Sequence, residues 1–156
     1  MAETQMYLVD TDVISASAPA RRSNPALLGW MDANSARLYL SAIAIAQIED
    51  GIAKARREGA SRKARALAQW LEALLHLYAD RVLPFDVAAA RIAGRLSDLA
   101  RGKGQSPGFP DVAIAAIAQA HSFTVLTRNL KHFAMFGMPA HDPFRSLPER
   151  IGIFAA

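Results

Sequence analysis

Short apolar runs alternate with longer segments of helical periodicity, and this alternation constrains the fold more than any other feature of the chain. The runs are MYLVD, RLYLS, RVLPF and FTVLT. Between them, apolar residues recur at three- and four-residue steps, as at Ile45, Ile48 and Ile52, which is the period of an amphipathic helix. Strands separated by helices are typical of parallel sheets with covered faces. The pattern predicts an α/β fold, a central parallel β-sheet flanked by α-helices.

Local signals predict where several helices begin and end. Asn24, Ser41 and Asp86 each precede a helical pattern and are residue types that cap helix N-termini. Gly102 predicts the end of the helix that Asp86 begins. Two further helices are expected from the amphipathic segment SRKARALAQWLEALLHLYAD and the almost wholly apolar segment DVAIAAIAQAH.

Length and composition favour one packed domain. The chain has 156 residues, 52% of them hydrophobic and 21% charged, and it shows no repeat or linker. We expect a single domain over residues 1–156, with a core of about 6–144 and a carboxy-terminal tail of about 145–156. No cysteine is present, which excludes disulfides and thiolate metal sites and favours the cytoplasm. Neither a signal peptide nor a membrane span is predicted.

The balance of charge favours a polyanionic partner. Eighteen Lys and Arg residues stand against fourteen Asp and Glu residues, a formal net charge of +4. Nucleic acid is the partner that such a surface suits best, although the excess of positive charge is modest.

Two polar residues follow apolar runs at positions where parallel sheets bind ligands. Ligand crevices of such sheets lie outside the carboxyl ends of the strands, and Asp10 and Thr127 are placed there. A turn residue is the alternative for Asp10. Asp12 is expected either to support Asp10 or to cap the following helix, and these alternatives remain open.

Two further acids occupy positions on predicted helices. Glu49 shares a helix face with Ile45 and Ile52, and a carboxylate buried there requires a basic residue or a metal as partner. A position at the edge of the surface is the alternative, and both remain open. Asp111 opens the apolar helix, where a favourable interaction with the helix dipole is the simpler explanation.

Asp10, Glu49 and Asp111 come from separate elements that right-handed crossovers bring to one end of the sheet. Oxygen acids without cysteine suit a hard cation, Mg²⁺ or Mn²⁺. The histidines are not spaced as a ligand pair, so we expect structural or surface roles for them: His76, His121, His132 and His141.

The motifs YLVDTDVIS, SAIAIAQIEDGI, RVLPFDVAAARIAGRL, DVAIAAIAQAH and TVLTRNLKHF occur in an order and spacing that resemble a PIN domain of the VapC type. VapC proteins are the toxin half of bacterial toxin–antitoxin pairs. The resemblance implies a single PIN-like domain with metal-dependent endoribonuclease activity, in which Asp10, Glu49 and Asp111 are the catalytic and metal-binding acids. The fourth acidic position of the family falls at Asn129 here, and Asp142 is the alternative.

The resemblance also implies supporting residues and partners. Supporting roles around the acids fall to Thr11, Asp12, Thr127 and Asn129. The partners are an RNA substrate and a cognate antitoxin, with a homodimer and a toxin–antitoxin hetero-oligomer as assemblies and no membrane. Basic residues are candidates for RNA phosphate contacts, although such residues are often only solvated: Arg21, Arg22, Arg56 and Arg128.

Two other functions fit parts of the sequence. The stretch VDTDVIS approximates the Asp-x-Asp start of haloacid-dehalogenase-like phosphatases, with Asp10 as nucleophile and Asp12 as general acid. That site also needs a later acidic pair, and no Asp-Asp or Asp-x-x-x-Asp follows. The other alternative is a non-catalytic PIN-like module that binds RNA or a partner, which the amide at Asn129 would suit.

Overall fold

The computed structural model describes residues 4–21 and 24–148 and contains a five-stranded parallel sheet. The strands stand in the order β3-β2-β1-β4-β5, and every neighbouring pair is parallel. Their bounds are β1 Tyr7–Val9, β2 Leu38–Ser41, β3 Val82–Leu83, β4 Thr124–Leu126 and β5 Ala140–His141. The predicted α/β class and the predicted strands are confirmed, and β5 is an additional edge strand.

Helices cover the sheet and connect its strands. They are α1 Thr11–Ile14, α2 Pro25–Ala33, α3 Ala42–Arg57, α4 Ser61–Tyr78, α5 Val87–Gly102, α6 Phe109–His121 and α7 Leu130–Ala134. Short 3₁₀ turns lie at Ser15–Ser17, Pro19–Arg21, Ser35–Arg37 and Ala79–Arg81. None of the helices in the described ranges is long and apolar enough to cross a membrane.

The predicted helix caps are confirmed. The Asn24 side chain accepts a hydrogen bond from Leu27 N at 3.1 Å, Ser41 Oγ accepts from Ala44 N at 3.0 Å, and Asp86 Oδ1 accepts from Ala89 N at 2.9 Å. Each bond satisfies an amide that the first helical turn leaves without a partner, which typically contributes about 1 kcal/mol.

Two hydrophobic clusters lie on opposite faces of the sheet. Tyr7 and Val9 point into the cluster formed with α3 and α4, whereas Leu8 points into the cluster formed with α5 and α6. Helix α6 is buried at every position from Val112 to Ala118, which explains its almost wholly apolar sequence. The central strand β1 is therefore covered on both faces, and its carboxyl end opens at the edge of the sheet.

Candidate active site

The carboxylate of Asp10 is held rigidly where β1 ends. Its backbone N–H donates to Leu126 O of the neighbouring strand at 2.9 Å. Its Oδ1 accepts from Thr11 N at 2.8 Å, which makes Asp10 the cap of α1, and its Oδ2 accepts from Thr127 Oγ1 at 2.9 Å. Asp10 is only 6% exposed, and Thr127 is fully buried. Asp10 and Thr127 thus lie at the ends of adjacent strands, as predicted, and are joined by a direct hydrogen bond.

Burial is the main cause that raises the pKa of Asp10. The hydrogen bonds from Thr127 and Thr11 oppose this rise, the negative charge of Asp111 adds to it, and His132 lowers the pKa again. Asp111 and His132 therefore lie within electrostatic range of Asp10.

Asp111 lies in the first turn of α6 and pairs with a histidine. His132 Nδ1 stands 2.7 Å from Asp111 Oδ2, with the Asp111 side chain 25% exposed and the His132 side chain 53% exposed. His132 belongs to α7. The sequence does not predict this contact, because Asp111 and His132 belong to different helices.

Asp12 connects α1 to the loop that follows β4. Its Oδ2 accepts from Arg128 N and from Asn129 Nδ2, both at 3.1 Å, and Asn129 N donates to Thr127 Oγ1 at 2.9 Å. Burial first, and then the charge of Asp10, raise the pKa of Asp12 to about 6. Since Asp10 is the cap of α1, the supporting alternative describes the contacts of Asp12 better than the capping alternative.

Asp142, the alternative fourth position, is engaged in a turn. Its Oδ1 accepts from Phe144 N at 2.9 Å, and Arg145 Nε lies 3.5 Å from its Oδ2. The carboxylate is buried and stabilises the turn around Pro143.

Glu49 is exposed, so the surface position is the alternative that the structure supports, and the burial alternative was wrong. The core side of α3 is centred near Ile48, and the next residue of a helix points about 100° away. Glu49 is thereby turned out of the core. Among residues 4–21 and 24–148, no three His, Cys, Asp or Glu side chains are grouped to hold a metal. The charge of Asp111 acts on Asp10, whereas Glu49 is an exposed residue of α3.

The α3 residue that does reach this end of the sheet is Gln47. Thr11, the residue after Asp10, donates a hydrogen bond from its hydroxyl to Gln47 Oε1. A search for charged residues misses Gln47, because its side chain is neutral. Apolar periodicity does not mark it either, because it is an exposed polar residue. Gln47 and Gly51 both line the groove described next.

A groove of about 1120 Å³ runs from Thr11 and Gln47 along α3 and α4. Its lining combines apolar residues of both helices with basic residues, namely Arg21, Lys54, Arg62 and Lys63. Arg56 lies instead beside a smaller hollow of about 490 Å³. Arg128 stacks its guanidinium 4.3 Å from the centre of the Phe144 ring. Arg22, the remaining candidate for RNA contact, lies outside the described residues.

The available oxygen ligands suit a hard cation that keeps several of its waters better than one that is fully enclosed by protein ligands. Asp10 and Asp111 offer carboxylate oxygens from separate elements, and Mg²⁺ is commonly held by only one or two carboxylates with several waters. The oxygens of Asp10 each accept one protein hydrogen bond and retain a further lone pair. These residues therefore fit Mg²⁺ or Mn²⁺ with an incomplete protein shell.

Comparisons with known proteins identify relatives of the whole chain. The chain is 37% identical over 141 residues to the VapC ribonuclease Y4jK of Sinorhizobium fredii, with 89% of this chain and 98% of that one covered. It is 34% identical over 142 residues to the toxin FitB of Neisseria gonorrhoeae, with 89% and 99% covered. The crystal structure of FitAcB from Neisseria gonorrhoeae superposes with a TM-score of 0.77 at 34% identity, covering 89% of this chain and 99% of that one.

The family comparison supports the resemblance and does not favour the phosphatase alternative. Asp12, which would be the general acid of a phosphatase, accepts hydrogen bonds from the loop after β4. The profile of the PIN domain family matches residues 7–135, a span that includes Asp10, Asp111 and His132. The chain therefore belongs to the PIN domain family.

Proposed function

We propose that this protein is a metal-dependent endoribonuclease of the VapC toxin type. The observation that carries the proposal is the electrostatic interaction of Asp111 with Asp10, which lies at the carboxyl end of a parallel strand, in a PIN domain related to a VapC ribonuclease. Carboxylates at that edge of a sheet are placed to meet a ligand in the crevice outside the strands.

Asp10 and Asp111 would hold Mg²⁺ or Mn²⁺. Such an ion, when bound, polarises a phosphoryl oxygen and lowers the pKa of a water that attacks the phosphodiester. Thr11 and Thr127 hold the Asp10 carboxylate in place, while Asp12 holds the loop that carries Thr127. We assign no ligand role to Glu49, because its exposure removes the argument from burial and the resemblance alone supports such a role.

The RNA substrate would approach along the basic groove. Lys54, Arg62 and Lys63 line it, and the groove begins at Thr11, the neighbour of Asp10. Phosphate contacts by Lys and Arg position a nucleic acid without reading its sequence. Arg128 adds positive charge near the acids, since its charge lowers the pKa of Asp12.

A cognate antitoxin is the proposed protein partner. The relative FitB is named a toxin, and the resemblance to VapC implies neutralisation by an antitoxin segment that fills the groove. The groove is lined by apolar residues, among them Leu67 and Trp70, which suit the binding of a peptide. Its basic residues suit the binding of RNA. A homodimer and a toxin–antitoxin hetero-oligomer acting in the cytoplasm complete the proposal.

The test incubates antitoxin-free protein with total RNA and, separately, with para-nitrophenyl phosphate, in the presence of Mg²⁺, Mn²⁺ or EDTA. The proposal expects cleavage of RNA at discrete sites, loss of cleavage in EDTA, and loss in D10N and D111N. Hydrolysis of the phosphate ester with intact RNA would instead support the phosphatase. Metal and RNA binding without either reaction would support the non-catalytic module.

A further inference from the structure

One short segment of the chain provides hydrogen-bond donors to all the aspartates around the site. Thr127 Oγ1 donates to Asp10, and Arg128 N and Asn129 Nδ2 donate to Asp12. His132 Nδ1 then meets Asp111 Oδ2 at 2.7 Å. Residues 127–132 thus connect carboxylates that come from β1, α1 and α6.

Contacts on both sides of His132 hold its backbone in place. The next residue, Phe133, is fully buried in the cluster formed with α5 and α6, and it anchors α7 against α6. On the other side, Asn129 is tied to Asp12 and Thr127. The imidazole is therefore presented to Asp111 by backbone that is fixed at both ends.

We propose that His132 is a positioning residue that orients the Asp111 carboxylate for the cation, an inference that rests on the proposed function. A neutral ring with its hydrogen on Nδ1 donates to Asp111 Oδ2 and needs no positive charge to do so. Oδ1 and one lone pair of Oδ2 stay available to the ion. Hydrogen bonds to metal-binding groups fix their orientation in this way.

A merely structural role predicts a different outcome. The His132 side chain is 53% exposed, and an exposed polar contact of this kind, whether hydrogen bond or ion pair, contributes little to the free energy of unfolding. Loss of the imidazole should therefore change cation binding more than it changes the melting temperature.

The test measures Mn²⁺ affinity by isothermal titration calorimetry, and thermal melting, for wild type, H132A and H132N. Asparagine retains an N–H donor near the position of Nδ1. The matched control is H76A, which removes an exposed histidine from α4. We expect H132A to bind Mn²⁺ about 10- to 100-fold more weakly, the range found when such supporting partners are removed. H132N should recover part of this loss, and H76A should bind as wild type does.

Each result decides the matter. If wild type binds Mn²⁺ and H132A binds it equally well, the role of His132 is overturned while the proposed function stands. The role is likewise overturned if H132A weakens binding only in proportion to a general loss of folding. If wild type binds no Mn²⁺, the proposed metal-dependent function fails, and the role of His132 fails with it.

Discussion

Thr127 Oγ1 donates a hydrogen bond of 2.9 Å to Asp10 Oδ2, joining the ends of two adjacent parallel strands in a buried environment. The same oxygen accepts from Asn129 N at 2.9 Å. A single hydroxyl therefore satisfies both the carboxylate of Asp10 and an amide of the following loop.

The T127V substitution keeps the shape of the side chain and removes both hydrogen bonds. We expect it to lower the free energy of unfolding by about 1–3 kcal/mol, because it leaves buried polar groups without partners. T127S retains the hydroxyl and should lose less. Urea unfolding at neutral pH measures the difference, and equal stability of T127V and wild type would contradict this assignment.

The raised pKa of Asp12, about 6, predicts a pH dependence of stability. Its pKa in the folded protein exceeds the unfolded value, so ionisation of Asp12 destabilises the fold above pH 6. This destabilisation diminishes as pH falls through 6 and disappears below the unfolded value.

D12N removes the charge and keeps an acceptor for Arg128 N. Relative to D12N, wild type should therefore gain about 1 kcal/mol of stability between pH 7.5 and pH 5. Unfolding curves at both pH values test this, with D98N on the exposed side of α5 as the charge-matched control. A constant difference between wild type and D12N would rule out the pKa shift.

Glu49 and Asp111 are both acids on helices; the charge of Asp111 acts on Asp10, whereas Glu49 is exposed. The rate at which E49Q cleaves RNA should be within about twofold of the wild-type rate. The rate of D111N should fall at least about 100-fold, a larger loss than removal of a supporting residue typically causes. Initial rates on a fluorescent RNA measure both variants. A loss in E49Q comparable to that in D111N would restore Glu49 as a site residue.

The basic groove should contribute phosphate contacts. K54Q and K63Q should each weaken RNA binding and reduce the slope of log affinity against log salt by about 0.7 per lost contact with a single strand. Fluorescence anisotropy in the cleavage-deficient D10N background measures this slope. R101Q, at the end of α5, is the control. Unchanged slopes in both lysine variants would mean that RNA takes another path.

The sheet, the helix caps and the acids at strand ends could be predicted from sequence because each has a local cause. Asp10 directly follows an apolar strand. Ser41 and Asp86 are helix caps whose side chains accept hydrogen bonds from backbone amides three residues along the chain. β5 escaped prediction because a strand of two residues, Ala140–His141, is too short to show alternation.

The site itself depended on tertiary packing. Spacing placed Glu49 near apolar neighbours, but the direction of the core relative to α3 is decided by its contacts with the rest of the fold. Gln47 and His132 carry contacts with residues far along the chain, Thr11 and Asp111 respectively, which no local pattern encodes.

The most direct test of the central claim, that Asp10 and Asp111 form one catalytic site, compares RNA cleavage by D10N, D111N and the double variant. Residues that act as a unit are strongly non-additive. We expect the cleavage rate of each single variant to fall at least about 100-fold, because loss of a metal ligand should cost more than loss of a supporting partner. The double variant should cleave RNA no more slowly than the slower single variant. Cleavage retained in either folded single variant, or losses that simply multiply in the double variant, would contradict the account.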